Sequence, residues 1–173
     1  MYKAITLIEV LTAMAIMVIS IYFISPIIFT FQDRIALNSE IENIQSFIYQ
    51  IQTKARYSKR NYTLTISQQN NRWCMVAVMK PINSNKQIIC NCLMKNSCNQ
   101  NEEYHLYKPT HQSIVLKNKS LYPKSFVNID GVSGQLESKC IHLNLNKESD
   151  ILQFDQLGRV YVAAKNKRST CKD

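Results

Sequence analysis

Glycine is scarce in this chain, with 3 in 173 residues, and proline adds only 4. That excludes collagen-like and linker-like readings, and no GxGxxG or Gly-Lys-Ser/Thr element is present to cradle a phosphate. Acidic residues are few as well, 12 Asp and Glu against 21 Lys and Arg, for a net charge of +9. The excess is local: residues 54–124 hold twelve Lys/Arg against only Glu102 and Glu103, a charge of +10. Catalytic constellations are missing too. There is no HExxH, no G-x-S-x-G and no pair of inward carboxylates, and His105, His111 and His142 have neither a nucleophile partner nor zinc-finger spacing. The expectation is a protein that is not an enzyme, with no cofactor and no metal site.

What is present fits one domain with an appendage. Six cysteines, Cys74, Cys90, Cys92, Cys98, Cys140 and Cys171, all lie well past the N-terminus. An even number in a modest domain points to disulfides formed outside the cytoplasm.

Residues 5–31 read ITLIEVLTAMAIMVISIYFISPIIFTF, with Glu9 the only acidic or basic residue among them. About 20 apolar residues span a bilayer, so this run suffices, and it is too long and continuous for an ordinary cleaved secretory signal. Lys3 before it favours a cytoplasmic N-terminus, which places the cysteines across the membrane. Glu9 needs a reason, because an ionisable group in hydrocarbon is costly and is usually paired or functional.

The residues around Glu9 supply one. Lys3-Ala4-Ile5-Thr6-Leu7-Ile8-Glu9-Val10-Leu11 resembles the signal of type IV prepilins, in which a short basic leader precedes a TLIEVL-like helix start, with Ala4 where the family usually has Gly and Ile5 where it has Phe or Met. Pro26, 17 residues after Glu9, stands at the spacing of the family's helix-bending proline. The resemblance implies that prepilin peptidase cuts between Ala4 and Ile5 and methylates the new amine. It further implies that Glu9 meets the N-terminal amine of a neighbouring pilin during assembly, and that an unpaired buried charge penalises wrong stagger. Partners implied are other pilins or pseudopilins, the peptidase and an inner-membrane platform protein.

Past the span, Ile35, Ile41, Ile44, Ile48, Ile51 and Ala55 form an apolar stripe with Phe31 and Phe47 nearby, while Asp33, Glu40, Glu42, Gln45 and Gln52 fill other positions. This predicts one helix from about residue 5 to 57, near 80 Å long, with a kink or melted turn at 22–25 before Pro26. Short β-rich runs follow at 62–66, 73–79, 87–92, 113–116, 126–129, 141–145, 151–154 and 160–163, with turns at Asn70-Asn71, 83–86, Asp130-Gly131 and Leu157-Gly158. The fold expected is α+β, a long N-terminal helix on a mostly antiparallel sheet. Its parts are a leader (1–4), a transmembrane segment (5–31), an amphipathic continuation (32–60) and a β-rich periplasmic domain (61–173), in a single-pass inner-membrane protein that enters an extracellular filament.

The run IleLeuGlnPheAspGlnLeuGlyArgValTyr at 151–161 resembles the late hairpin of FimT- and GspH-related minor pilins and pseudopilins. In it Gly158 supplies a positive φ, Asp155 a turn cap and Arg159 a solvated charge. Fifteen complete disulfide pairings exist. Those favoured are Cys140 with Cys171, tying the tail to the sheet as pilins often do, Cys92 with Cys98, and Cys74 with Cys90; Cys90 with Cys98 stays open as an alternative. Some FimT-like pilins bind DNA through a basic C-terminal region. Here Lys165, Lys167 and Arg168 with Lys54, Arg56, Lys59 and Arg60 are the candidates for weak contact with double-stranded DNA. Tyr161 stands where the doubly basic Gly-Arg-x-Arg form has its second Arg. A type II secretion pseudopilin with no nucleic-acid role fits the same residues.

Overall fold

The structure, a computed structural model, describes residues 6–81, 90–94, 98, 103–117 and 125–163. Helix α1 (Leu7–Ser58) runs 52 residues without a break, about 78 Å at 1.5 Å per residue. It starts after Thr6 in extended backbone and stops at Lys59, which is left-handed (φ 53°) and returns its N–H to the Ala55 carbonyl. The melted turn expected at 22–25 is not there. A proline deletes one intrahelical hydrogen bond, and the apolar helix formers on both sides keep the segment helical.

Leu37, Glu40, Ile41, Ile44, Phe47, Ile48, Ile51, Gln52 and Ala55 are the buried residues of α1. They recur at three- and four-residue steps, so one face of the C-terminal half is covered. Phe31 (65 % exposed) and Ile35 (53 % exposed), expected near or on this stripe, lie off it. The first half of the helix carries its large apolar side chains bare, as a spanning segment would.

Among the described residues eight strands follow: β1 (Tyr62–Gln69), β2 (Arg72–Met79), β3 (Tyr104–Tyr107), β4 (Val115–Leu116), β5 (Ser125–Ile129), β6 (Lys139–Leu145), β7 (Glu148–Phe154) and β8 (Val160–Val162). They form two four-stranded sheets, β3-β2-β1-β5 and β4-β6-β7-β8, every pairing antiparallel. An isolated antiparallel bridge, Ile129 to Leu136, ties the end of β5 to the connection that leads into β6. Two-residue turns set the registers. Asn70 and Asn71 both take positive φ between Gln69 and Arg72, the mirror-image turn that suits hairpin twist, and Asn146 (φ 52°) opens the β6–β7 turn.

Alternate residues of both sheets face α1 and merge into one core: Tyr62, Leu64 and Ile66; Trp73, Met75 and Ala77; Ile141, Leu143 and Leu145; Leu152 and Phe154. Each Leu, Ile, Met or Phe side chain among them contributes roughly 1.5–3 kcal/mol when fully buried. The other face of β2 carries Val76 and Val78, which pack with Cys90, Cys92 and Cys98 in a small separate cluster.

That cluster explains the disulfides. Cys74 is bonded to Cys92 and Cys90 to Cys98, in place of the favoured Cys74–Cys90 and Cys92–Cys98 pairs. The Cys74–Cys90 pair would have linked two expected strands, 73–79 and 87–92, and Cys92–Cys98 would have closed a small loop. Instead, Cys90 and Asn91 are not in a strand and Cys92 begins a turn. Cys90 lies over Val76 and Val78, so two residues later the chain has reached Cys74. Residues 82–89 lie outside the described set. Cys140 is also disulfide-bonded, to a partner outside the described residues, where Cys171 also falls. Strand β3 was not expected: Tyr-His-Leu-Tyr is a four-residue edge with no polar-apolar alternation to mark it.

Candidate functional site

Glu9 lies in the first turn of α1, where a carboxylate is favoured by the helix dipole. It is exposed, and has no ion-pair partner among the described residues. Thr12 turns its hydroxyl back onto the Glu9 backbone carbonyl at 3.0 Å. Ala4 and Ile5 lie outside the described residues, and Pro26 falls within the helical run.

The basic candidates on α1 occupy its last two turns and the residues just beyond. Lys54 Nζ donates to His105 Nε2 at 3.1 Å and stands 3.9 Å from Glu103, so β3 is stapled to the helix there. Burial first, and the Lys54 charge second, hold the His105 imidazole below its usual range. Arg60 donates to the Lys80 carbonyl at 2.9 Å. Arg56 lies against Gly134, where its guanidinium fills the space that a Cβ would need. Lys59 is exposed. Lys165, Lys167 and Arg168 fall outside the described residues. At the late hairpin, Asp155 caps the turn through the Leu157 and Arg159 amides and holds the Arg159 Nε at 2.7 Å, while that guanidinium lies 5.9 Å from the Tyr161 ring. Arg159 is therefore engaged within its own turn.

Two polar residues read as surface positions are core anchors. Glu40 is fully buried and accepts from the Tyr107 hydroxyl at 2.6 Å and from the Thr110 and His111 amides at 3.1 and 3.2 Å. Burial, then the hydrogen bond to Glu40 and its charge, push the Tyr107 hydroxyl far above its usual range, so it remains a donor. Gln52 donates from one nitrogen to the carbonyls of Gly134 and Gly158, both at 2.8 Å. Gly134 belongs to the connection into β6 and Gly158 to the β7–β8 turn, and both take positive φ. A Cβ on Gly158 would sit 2.8 Å from the Gly134 carbonyl oxygen. The signal for both anchors was in the sequence: Glu40 and Gln52 fall on the helical rows of Ile41, Ile44, Ile48 and Ile51.

The long half-bare helix, with its covered half on two antiparallel sheets, has a counterpart among solved structures. The type IV minor pilin FimU of Pseudomonas aeruginosa (strain PAO1) matches with a TM-score of 0.51 and 14 % identity, over 79 % of this chain and 95 % of that one. The fold is that of a type IV pilin. A protein of Haemophilus influenzae (strain ATCC 51907 / DSM 11121 / KW20 / Rd), described only as uncharacterized, is 28 % identical over 174 residues, 99 % of each chain. No family model matches the sequence.

Proposed function

We propose that the chain is a minor pilin or pseudopilin, a non-enzymatic subunit held in the inner membrane by the first half of α1 and drawn from there into a filament. The observation that carries this is the 52-residue helix: its first half is bare and apolar while its second half is the core of a domain on the pilin fold. Prepilin peptidase cuts between Ala4 and Ile5, and Glu9 meets the amine of the neighbouring subunit, its exposure in the first helical turn leaving it available to a partner. Intact-mass measurement of the membrane-extracted protein tests processing, with loss of residues 1–4 expected. A mature chain starting at Met1, or one cut beyond Pro26, removes the reading. Glu9→Ala should leave the domain folded while lowering recovery in sheared filaments, or lowering initiation if the protein acts only as a priming subunit.

Weak, sequence-independent contact with double-stranded DNA forms part of this proposal, through Lys165, Lys167 and Arg168 with the Lys54, Arg56, Lys59 and Arg60 cluster. Affinity then falls with salt at a log-log slope of about 0.9 per phosphate contact. Gel-shift titration of a fragment starting near Asp33 decides it. No retardation at low salt, or full binding after all three tail residues are changed to Gln, restricts the protein to assembly. Loss of piliation, of transformation or of secretion on deletion separates the pilus machine from a type II secretion machine.

A further inference from the structure

We propose that the end of the domain nearest the bare half of α1 rests on phospholipid headgroups, with Lys147 and Arg72 set to meet lipid phosphate. This rests on the membrane-anchored reading above. The apolar run of α1 ends at Phe31, and the β6–β7 turn is fastened to the residues that follow. Asn146 Nδ2 donates to Asp33 Oδ2 at 2.8 Å, and Arg34 Nη1 donates to Glu148 Oε2, also at 2.8 Å. Asp33 is only about 3 Å along the axis from Phe31. The turn that carries Lys147 is therefore level with the polar layer, about 5–8 Å thick on each side of the hydrocarbon, from which a spanning helix emerges.

A second turn reaches the same level by an independent register. Gln68 donates to the Leu116 carbonyl at 2.9 Å, and Leu116 pairs with Leu143, three residues before Asn146 on β6. Asn70 and Asn71 lie two and three residues beyond Gln68, which brings the β1–β2 turn down beside the β6–β7 turn. Arg72 is exposed at its foot, and Lys147 is exposed at the tip of the other. The carboxylates of this rim already hold donors: Glu148 is bound by Arg34, and Asp33 by Asn146. Arg34 is thereby engaged as well. Among the described residues that leaves Lys147 and Arg72 as outward cations of the rim, at the depth where a membrane presents phosphate.

The test uses the full chain in vesicles of phosphatidylcholine, with and without phosphatidylglycerol, at low protein-to-lipid ratio. An amine-acylating reagent is read residue by residue by mass spectrometry. An anionic surface near −30 mV raises local proton activity about threefold, so acylation of Lys147 should slow by about that factor when phosphatidylglycerol is added. Lys139 is the internal reference. It lies about 20 Å up β6 from the turn, more than two Debye lengths of about 8 Å, and its rate should not change. A chain that does not float with the vesicles overturns the anchored reading and this inference with it. A chain that floats while Lys147 keeps pace with Lys139 overturns the inference alone. Protection that follows protein density and not lipid charge also overturns it, by showing that a second copy covers the turn.

Discussion

Replacing Glu40 with Ala tests whether the buried carboxylate is the joint between α1 and the β3–β4 connection. The change strands three donors, the Tyr107 hydroxyl and the amides of Thr110 and His111. Hydrogen bonds to a charged acceptor contribute about 1.5–3 kcal/mol each, but Thr110 is exposed and water can reach it once the side chain is gone. A net loss of about 3 kcal/mol is the working figure, in the range for breaking a buried polar joint. For a fragment starting near Asp33 that lowers the thermal midpoint by about 10–15 °C. Glu40→Gln, which keeps the volume and one acceptor oxygen, should lose less. Tyr107→Phe should cost about 1–2 kcal/mol alone and close to nothing in the Glu40→Ala background, because the two act as a unit. Circular dichroism melts of the four proteins complete the cycle. A Glu40→Ala loss below about 1 kcal/mol, or additive losses in the double variant, would refute the joint.

Three further outcomes follow from the same structure. Gln52→Leu orphans the Gly134 and Gly158 carbonyls and should cost about 1–3 kcal/mol, read from chemical denaturation; an unchanged midpoint means those carbonyls are satisfied otherwise. Cys74→Ser with Cys92→Ser opens the 18-residue link across β2 and should cost about 3 kcal/mol, with smaller further loss on adding reductant than the parent shows. His105 has a lowered folded pKa, so the unfolded chain takes up its proton first: its stabilising contribution is complete above about 6.5 and is lost as pH falls through the folded value. Lys54→Gln should raise the His105 titration midpoint observed by NMR and soften that acid loss.

The helix and most strands were legible because their periods were clean. YTLTI and IHLNL alternate, and both became buried central strands, β1 and β6. Where the reading failed, one residue type was serving two environments. Glu40 and Gln52 look like surface residues by chemistry, yet the α1 stripe passes through them, and only the arrival of the β3–β4 connection and the two glycine turns supplies the partners that make burial tolerable. Cys90 with Cys98 was among the pairings left open and is the one formed, whereas the favoured Cys74–Cys90 and Cys92–Cys98 pairs failed for a comparable reason. The segment carrying Cys90 and Cys92 runs over the outer face of β2, and nothing local to the sequence separates a strand lying beside another from a loop lying over it. The Asn146-Lys147 turn was not among the turns expected, and the attachment of Asn146 to Asp33 spans 113 residues and has no local signature.

The small cluster of Val76, Val78 and Cys90 shares no member with the main core, although both grow from the same strand. Strand β2 is thus a party wall. The chamber on the helix side is closed by α1 and both sheets, and the chamber on the other side is roofed by the segment that Cys92 fastens to Cys74 of β2 and that the Cys90–Cys98 bond cross-links within itself. A roof held by one bolt and braced by another of its own can be rebuilt, lengthened or reshaped while the rooms beneath the main frame stay as they are. Evolution, or an engineer grafting a foreign loop, has there a plot of surface whose redesign leaves α1 and its packing untouched.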